Sequence, residues 1–173
     1  MMKKLVGLML TLAVLAAVPA DAQNSNVFYG GGIGLSFGTI DYIEIAPMIG
    51  IQVTDEFSTG INLLYRYRDD SRYSPSLSTN DYGGGIFARY RFLPNLFAQT
   101  EYEYLNFEYY DFGGTKTSDS YSSFLVGGGL SQPVGHNVAM TAVVLYNFSY
   151  SESDFYRPYD SPWIVRVGVT AGF

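Results

Sequence analysis

The chain contains no cysteine, one histidine and one tryptophan, and only 15% of its 173 residues are charged. Without cysteine there can be no disulfide framework and no thiolate metal site. A lone histidine, His136, sits between Gly135 and Asn137 in a turn-like stretch. Charge is scarce beside the roughly 25% of an ordinary soluble domain. Beyond residue 22 no apolar run approaches the roughly 20 residues a membrane-crossing helix needs. The formal charge is −6, and this acid excess argues against nucleic acid as a partner. What the chain has instead is 19 Gly, 16 Tyr and 12 Phe, a composition suited to strands and turns.

The N-terminus reads as a separate object. Lys3 and Lys4 precede an apolar run from Leu5 to Val18, followed by Pro19-Ala20-Asp21-Ala22. A basic start, a short apolar segment and an A-x-A pattern predict an export signal over 1–22, removed to leave one domain over 23–173.

At the other end, Trp163, Val165, Val167, Val169, Ala171 and Phe173 alternate with Ile164, Arg166, Gly168, Thr170 and Gly172. Strict period-two alternation means a strand with two unlike faces. Aromatics at both ends of the apolar face and aliphatics between them are the order expected of a lipid-facing strand. Seven further runs repeat the pattern. Their outward faces begin with Val27, Ile43, Phe57, Tyr82, Leu96, Phe124 and Val138. In the second run Pro47 costs one ladder bond. In the fifth, Leu105, Phe107 and Tyr109 fall on the inner face, which a bulge or a projection beyond the bilayer would explain. Short turns are expected at Asp55, Pro94 and Pro133–Gly135, and polar loops over 38–41, 69–80, 111–120 and 151–162.

Eight alternating runs with short and long connections predict an all-β fold: an eight-stranded antiparallel up-and-down transmembrane β-barrel with a charged, side-chain-filled lumen. The soluble alternative, a lipocalin-like barrel, would turn the apolar faces inward. An eight-stranded barrel is too narrow to hold so many large side chains, and its Gly-rich outer surface would carry few solubilising groups.

With polar faces inward, the lumen receives Arg66, Arg68, Arg89, Arg91 and Arg166 against Glu44, Glu101 and Glu103. A hairpin centred on Asp55 sets Glu44 opposite Arg66 and Tyr42 opposite Arg68; one around Pro94 sets Arg89 opposite Gln99. Inward glycines are expected to leave room for these long side chains. The strands beside Arg166 offer no glutamate, so its partner must lie across the lumen. Arginine exceeds glutamate by two, which calls for a loop carboxylate or for water. Buried charges must be paired, so Glu101 and Glu103 are expected to join an ion-pair network rather than act as an acid/base pair.

No catalytic residue, metal or cofactor is expected. His136 lies on the side opposite the long loops, away from any nucleophile. The glycine triplets at 30–32, 83–85 and 127–129 precede no helix and are not phosphate loops. The long loops carry Tyr73, Tyr109, Tyr110, Phe112, Phe155, Tyr156 and Tyr159 among Asp, Glu and Ser. Of these, Tyr73, Tyr110, Tyr156 and Tyr159 are the candidates for contact with an extracellular protein or glycan.

The signal peptide, the eight alternating runs, the charged lumen and the terminal Phe173 together resemble the small eight-stranded outer-membrane proteins, the OmpX/Ail group and the membrane domain of OmpA. The resemblance covers the whole of 23–173 and rests on architecture, not on a site motif. It implies a monomeric surface scaffold in the outer membrane of a Gram-negative bacterium, surrounded by outer-membrane lipid, with adhesion or envelope integrity as its role. It also implies that the barrel-assembly machinery reads the C-terminal strand and Phe173. A small porin-like channel is the alternative, and a lipid-modifying barrel enzyme a more distant one.

Overall fold

A computed structural model describes residues 26–36 and 39–172; the expected signal peptide over 1–22 and Phe173 lie outside the described residues. Eight antiparallel strands pair in sequence order and close into a barrel. They are β1 (Val27–Ser36), β2 (Ile40–Gln52), β3 (Phe57–Asp70), β4 (Leu77–Leu93), β5 (Leu96–Tyr110), β6 (Lys116–Pro133), β7 (Val138–Asn147) and β8 (Trp163–Ala171). β1 closes on β8 with Gly34 opposite Arg166.

Side-chain polarity selects the register. Glu44 faces Arg66 and Tyr42 faces Arg68 across β2–β3, and Arg89 faces Gln99 across β4–β5. A slip of one residue would turn each of these charges outward. Pro47 pairs with Gly31 of β1, while the β2–β3 ladder is interrupted between Ile45 and Met48, as expected where a residue has no N–H to donate.

The outer face is apolar. Ile61, Leu63 and Ile86 are more than half exposed, and an aromatic row lies nearer the loop end. Tyr65 faces Tyr82, Tyr102 faces Phe124 and Tyr146 faces Trp163. The rings of Tyr146 and Trp163 meet edge to face at 5.0 Å.

The rim is uneven. β3–β6 are 14, 17, 15 and 18 residues long, against 10 and 9 for β7 and β8. The strands therefore run further than their sequence suggests. Half of the polar segment 69–80 is ladder, with Asp70 opposite Leu77 and Arg68 opposite Thr79. Likewise Lys116–Ser120 pair with Asn106–Tyr110. Serine- and aspartate-rich segments read as loops by composition, yet the neighbouring strand satisfies their backbones. β7 instead stops at Asn147, short of Tyr150. No register shift interrupts β5 beyond Leu105. Leu105 and Phe107 are buried inside the barrel, so the inner face simply becomes apolar there, and no bulge is needed.

Candidate functional site: a braced lumen and its stopper

Three layers fill the barrel from the short-turn end to the loop end. In the first, Phe28, Phe87 and Phe97 are buried, and the Arg89 guanidinium lies 4.1 Å from the centre of the Phe97 ring. Arg89 donates through Nε (3.1 Å) and an η nitrogen (2.9 Å) to Gln99 Oε1, and Gln99 in turn donates to Glu101. The inward glycines serve this layer more than the arginines. A Cβ at Gly50 would fall 2.3 Å from the Phe28 ring, and one at Gly129 2.7 Å from Phe97.

In the second layer Arg166 is the hub. It donates to Glu44 (2.7 Å), to Glu101 (3.0 and 3.1 Å) and to Glu103 (2.8 Å). Gly34 makes the first of these possible. It stands between Glu44 and Arg166 in the register, and a Cβ there would sit 3.2 Å from Glu44 Oε1. Glu44 is shared with Arg66, whose Nε donates to it at 3.1 Å. The charge-assisted bonds of Arg66 and Arg166 hold the carboxylate from two sides. Asn62 donates to Glu101 at 2.6 Å.

In the third layer Arg68 donates through Nε to Asp81 at 2.7 Å and reaches Asp70 at 3.4 Å. Asp70 also holds Arg72 of the β3–β4 loop. Burial works against the Arg72 cation, but the hydrogen bond and charge of Asp70 outweigh it and keep the guanidinium above its usual range. The buried carboxylates Glu44, Asp70, Asp81, Glu101 and Glu103 thus face the buried arginines Arg66, Arg68, Arg89 and Arg166. Arg72 supplies a further positive charge.

Over the second layer sits Tyr159, from the long loop between β7 and β8. It is 1% exposed; its hydroxyl donates to Glu103 and accepts from Arg66 at 2.9 Å. The Arg66 guanidinium lies 4.4 Å from the ring centres of both Tyr159 and Tyr42. Burial pushes the Tyr159 phenol well above its ordinary value; Arg66 opposes that rise, and Glu103 and Glu44 add to it. The loop is tied down elsewhere too. Arg72 donates to the Phe155 carbonyl at 2.6 Å, and the Thr39 amide donates to Asp160 at 3.2 Å.

Of the residues assigned to the lumen from sequence, Glu44, Arg66, Arg68, Arg89, Glu101, Glu103 and Arg166 are brought together. Arg91 is not. The β4–β5 register shifts between Arg91 and Leu93, and Arg91 is exposed at the turn end of the barrel. Asp70 and Asp81 take the place that the charge imbalance left open. Their inward parity continues that of Arg68 and Gly83, and only their polar surroundings hid it.

Tyr159 requires the larger correction: it is a stopper in the lumen, not a surface contact. A hydroxyl able to accept from Arg66 and donate to Glu103 satisfies two buried groups at once. Tyr73, Tyr110 and Tyr156 do lie at the loop end. Tyr73 packs edge to face on Tyr110 at 5.5 Å, and Tyr156 lies 4.2 Å from Tyr109. His136 is exposed in the β6–β7 turn, at the end opposite Tyr159.

Between the layers is a cavity of about 40 Å³ lined by Asn62, Arg89, Glu101 and Arg166 among others. Asn62 Oδ1 is buried there without a partner. A few water molecules would fill such a space.

Apolar outside and charged inside, this is a closed eight-stranded antiparallel barrel inverted relative to a soluble one. No protein-family model matches the sequence, and no curated protein matches it. Among solved structures the chain is similar to the N-terminal β-barrel domain of Pseudomonas aeruginosa OprF, at 14% identity and a TM-score of 0.49 over 86% of this chain and 98% of that one. It is also similar to a barrel described under de novo design of transmembrane β-barrels, at 16% identity and a TM-score of 0.40 over 86% and 97% of the two chains. The fold assignment rests on the strand pairing of the chain itself.

Proposed function

We propose that this chain is a sealed, non-enzymatic β-barrel of the bacterial outer membrane, a surface scaffold that presents its long loops to extracellular or envelope partners. The inversion of polarity carries the reading. An outer face of Ile61, Leu63, Ile86, Val165 and Val167, each about half exposed or more, belongs against hydrocarbon. There the exposed part of each such side chain gains about 0.8–1.5 kcal/mol over water, half the value for full burial. The aromatic row at one end suits a headgroup boundary. An export signal over 1–22 and delivery through the C-terminal strand belong to the same reading.

Sealing is supported by the Arg166 hub, the phenylalanine layer and the Tyr159 stopper, which fill the lumen in successive layers among the described residues. The absence of catalysis is supported by the distance of His136 from the loop end and by the full engagement of Glu101 and Glu103 with Arg166. The barrel reconstituted in planar bilayers is expected to give conductance indistinguishable from protein-free membrane, while remaining protected from protease across its strands. Discrete conductance steps would replace the scaffold with the channel.

A further inference from the structure

At the loop end the tall β5–β6 wall and the β7–β8 loop enclose a cleft of about 370 Å³, open to solvent. Phe107, Asp119, Ser120 and Tyr121 form one side, and Ser153, Asp154, Phe155 and Tyr156 the other. The ladder explains the first side. Asp119 faces Phe107 and Tyr121 faces Leu105, so Phe107, Asp119 and Tyr121 share the inner face where the lumen opens. The loop places the second side, because Tyr159 is anchored below and Arg72 holds the Phe155 carbonyl.

Four aromatic rings and two carboxylates line the cleft, and no basic side chain is among the lining residues. The guanidinium of Arg72 lies 5.4 Å from the centre of the Phe155 ring and that of Arg68 5.7 Å from Phe107. Both are paired with carboxylates outside the cleft, Arg72 with Asp70 and Arg68 with Asp70 and Asp81. The nearby Arg157 donates to the backbone carbonyls of Glu152 and Asp154 and lies over Tyr150. Neither Asp119 nor Asp154 forms an ion pair among the described residues. Tyr121 is held in place by donating to the Ser149 carbonyl at 2.6 Å, and Tyr156 by packing on Tyr109 and Phe112.

We propose that this cleft binds an organic ammonium ion, with Tyr121, Phe155 and Tyr156 around the cation and Asp119 and Asp154 as its counter-charges. Aromatic faces attract cations through their quadrupoles, and quaternary ammonium groups suit such walls because they shed water readily. A volume of 370 Å³ lies in the range of small-ligand sites. That the cleft faces the cell exterior rests on the scaffold reading; that it binds does not.

The test uses the full barrel folded in detergent micelles, titrated by calorimetry with choline and with its uncharged isostere 3,3-dimethylbutan-1-ol. Choline is expected to bind saturably and the alcohol about tenfold or more weakly, a difference of about 1.4 kcal/mol. Asp119→Asn with Asp154→Asn should weaken choline by a similar factor, and added salt should weaken it further. Phe155→Ala with Tyr156→Ala should weaken both probes while the barrel stays folded by heat-modified gel mobility. No saturable choline binding, equal affinity for the alcohol, or an unaffected double-asparagine variant would each overturn the proposal. Bilayer conductance is read separately, so a failed scaffold and an empty cleft give different results.

Discussion

The wall built by β2–β5 sends the charged Glu44, Arg66, Arg68, Asp70, Asp81, Arg89, Glu101 and Glu103 into the lumen, whereas β6–β8 send mostly uncharged side chains, Leu125, Val143, Leu145 and Ile164 beside Ser123, Thr141, Asn147 and Thr170. Among the described buried residues of those last three strands Arg166 is the only charged one. Ion pairs such as Arg66–Glu44 join strands that backbone bonds already hold together. Arg166 ties β8 to β2 and β5, which are not its neighbours. One guanidinium on the otherwise uncharged wall therefore braces the barrel across its width, and the aliphatic side chains of that wall supply close packing.

Several substitutions would break or sharpen this contrast. Arg166→Met leaves three buried carboxylates without their shared cation and should cost about 3–5 kcal/mol, read as a lower urea midpoint in micelles. Arg166→Lys cannot span all three and should recover only part of the loss. On the uncharged wall Leu145→Ala should cost about 2–4 kcal/mol through the cavity it leaves, and its effect should be insensitive to salt and pH.

Tyr159→Phe keeps the ring but leaves Glu103 and Arg66 each short of a hydrogen bond, for about 1–3 kcal/mol. The same variant should remove the last-ionising phenol from an ultraviolet pH titration. Because burial raises the folded-state value above the unfolded one, the stabilisation from the neutral phenol is complete below about pH 10. It is lost as pH rises through the folded value. Arg91→Ala, at the exposed turn end, should change stability by less than about 0.5 kcal/mol; a large loss would return Arg91 to the network.

Period-two alternation was legible wherever an apolar face met a polar or small one, because the strand period is itself two residues and every outward position answers to the same surroundings. Tight turns made the hairpin registers around Asp55 and Pro94 legible as well, since a short link leaves one pairing that keeps polarity consistent. At Asp70, Asp81 and Asp119 the alternation is between polar and polar, so the outer strand ends carried no contrast and read as loop. The inner face of β5 failed in the opposite way. Leu105 and Phe107 are apolar and inward, and hydrophobicity alone does not say whether lipid or a barrel interior receives them.

The amino-acid sequence by itself determined the strand count, the inward and outward sets, the Glu44–Arg66 pairing and the need of Arg166 for a partner across the lumen, because these follow from local periodicity and charge balance. Tertiary structure decided which carboxylates meet Arg166, that Arg91 leaves the network, and that Tyr159 folds down into the barrel instead of standing at the surface. Those depend on distances across a closed sheet and on the path of a long loop. Residues more than a hundred positions apart, such as Glu44 and Arg166, meet only once the barrel has closed.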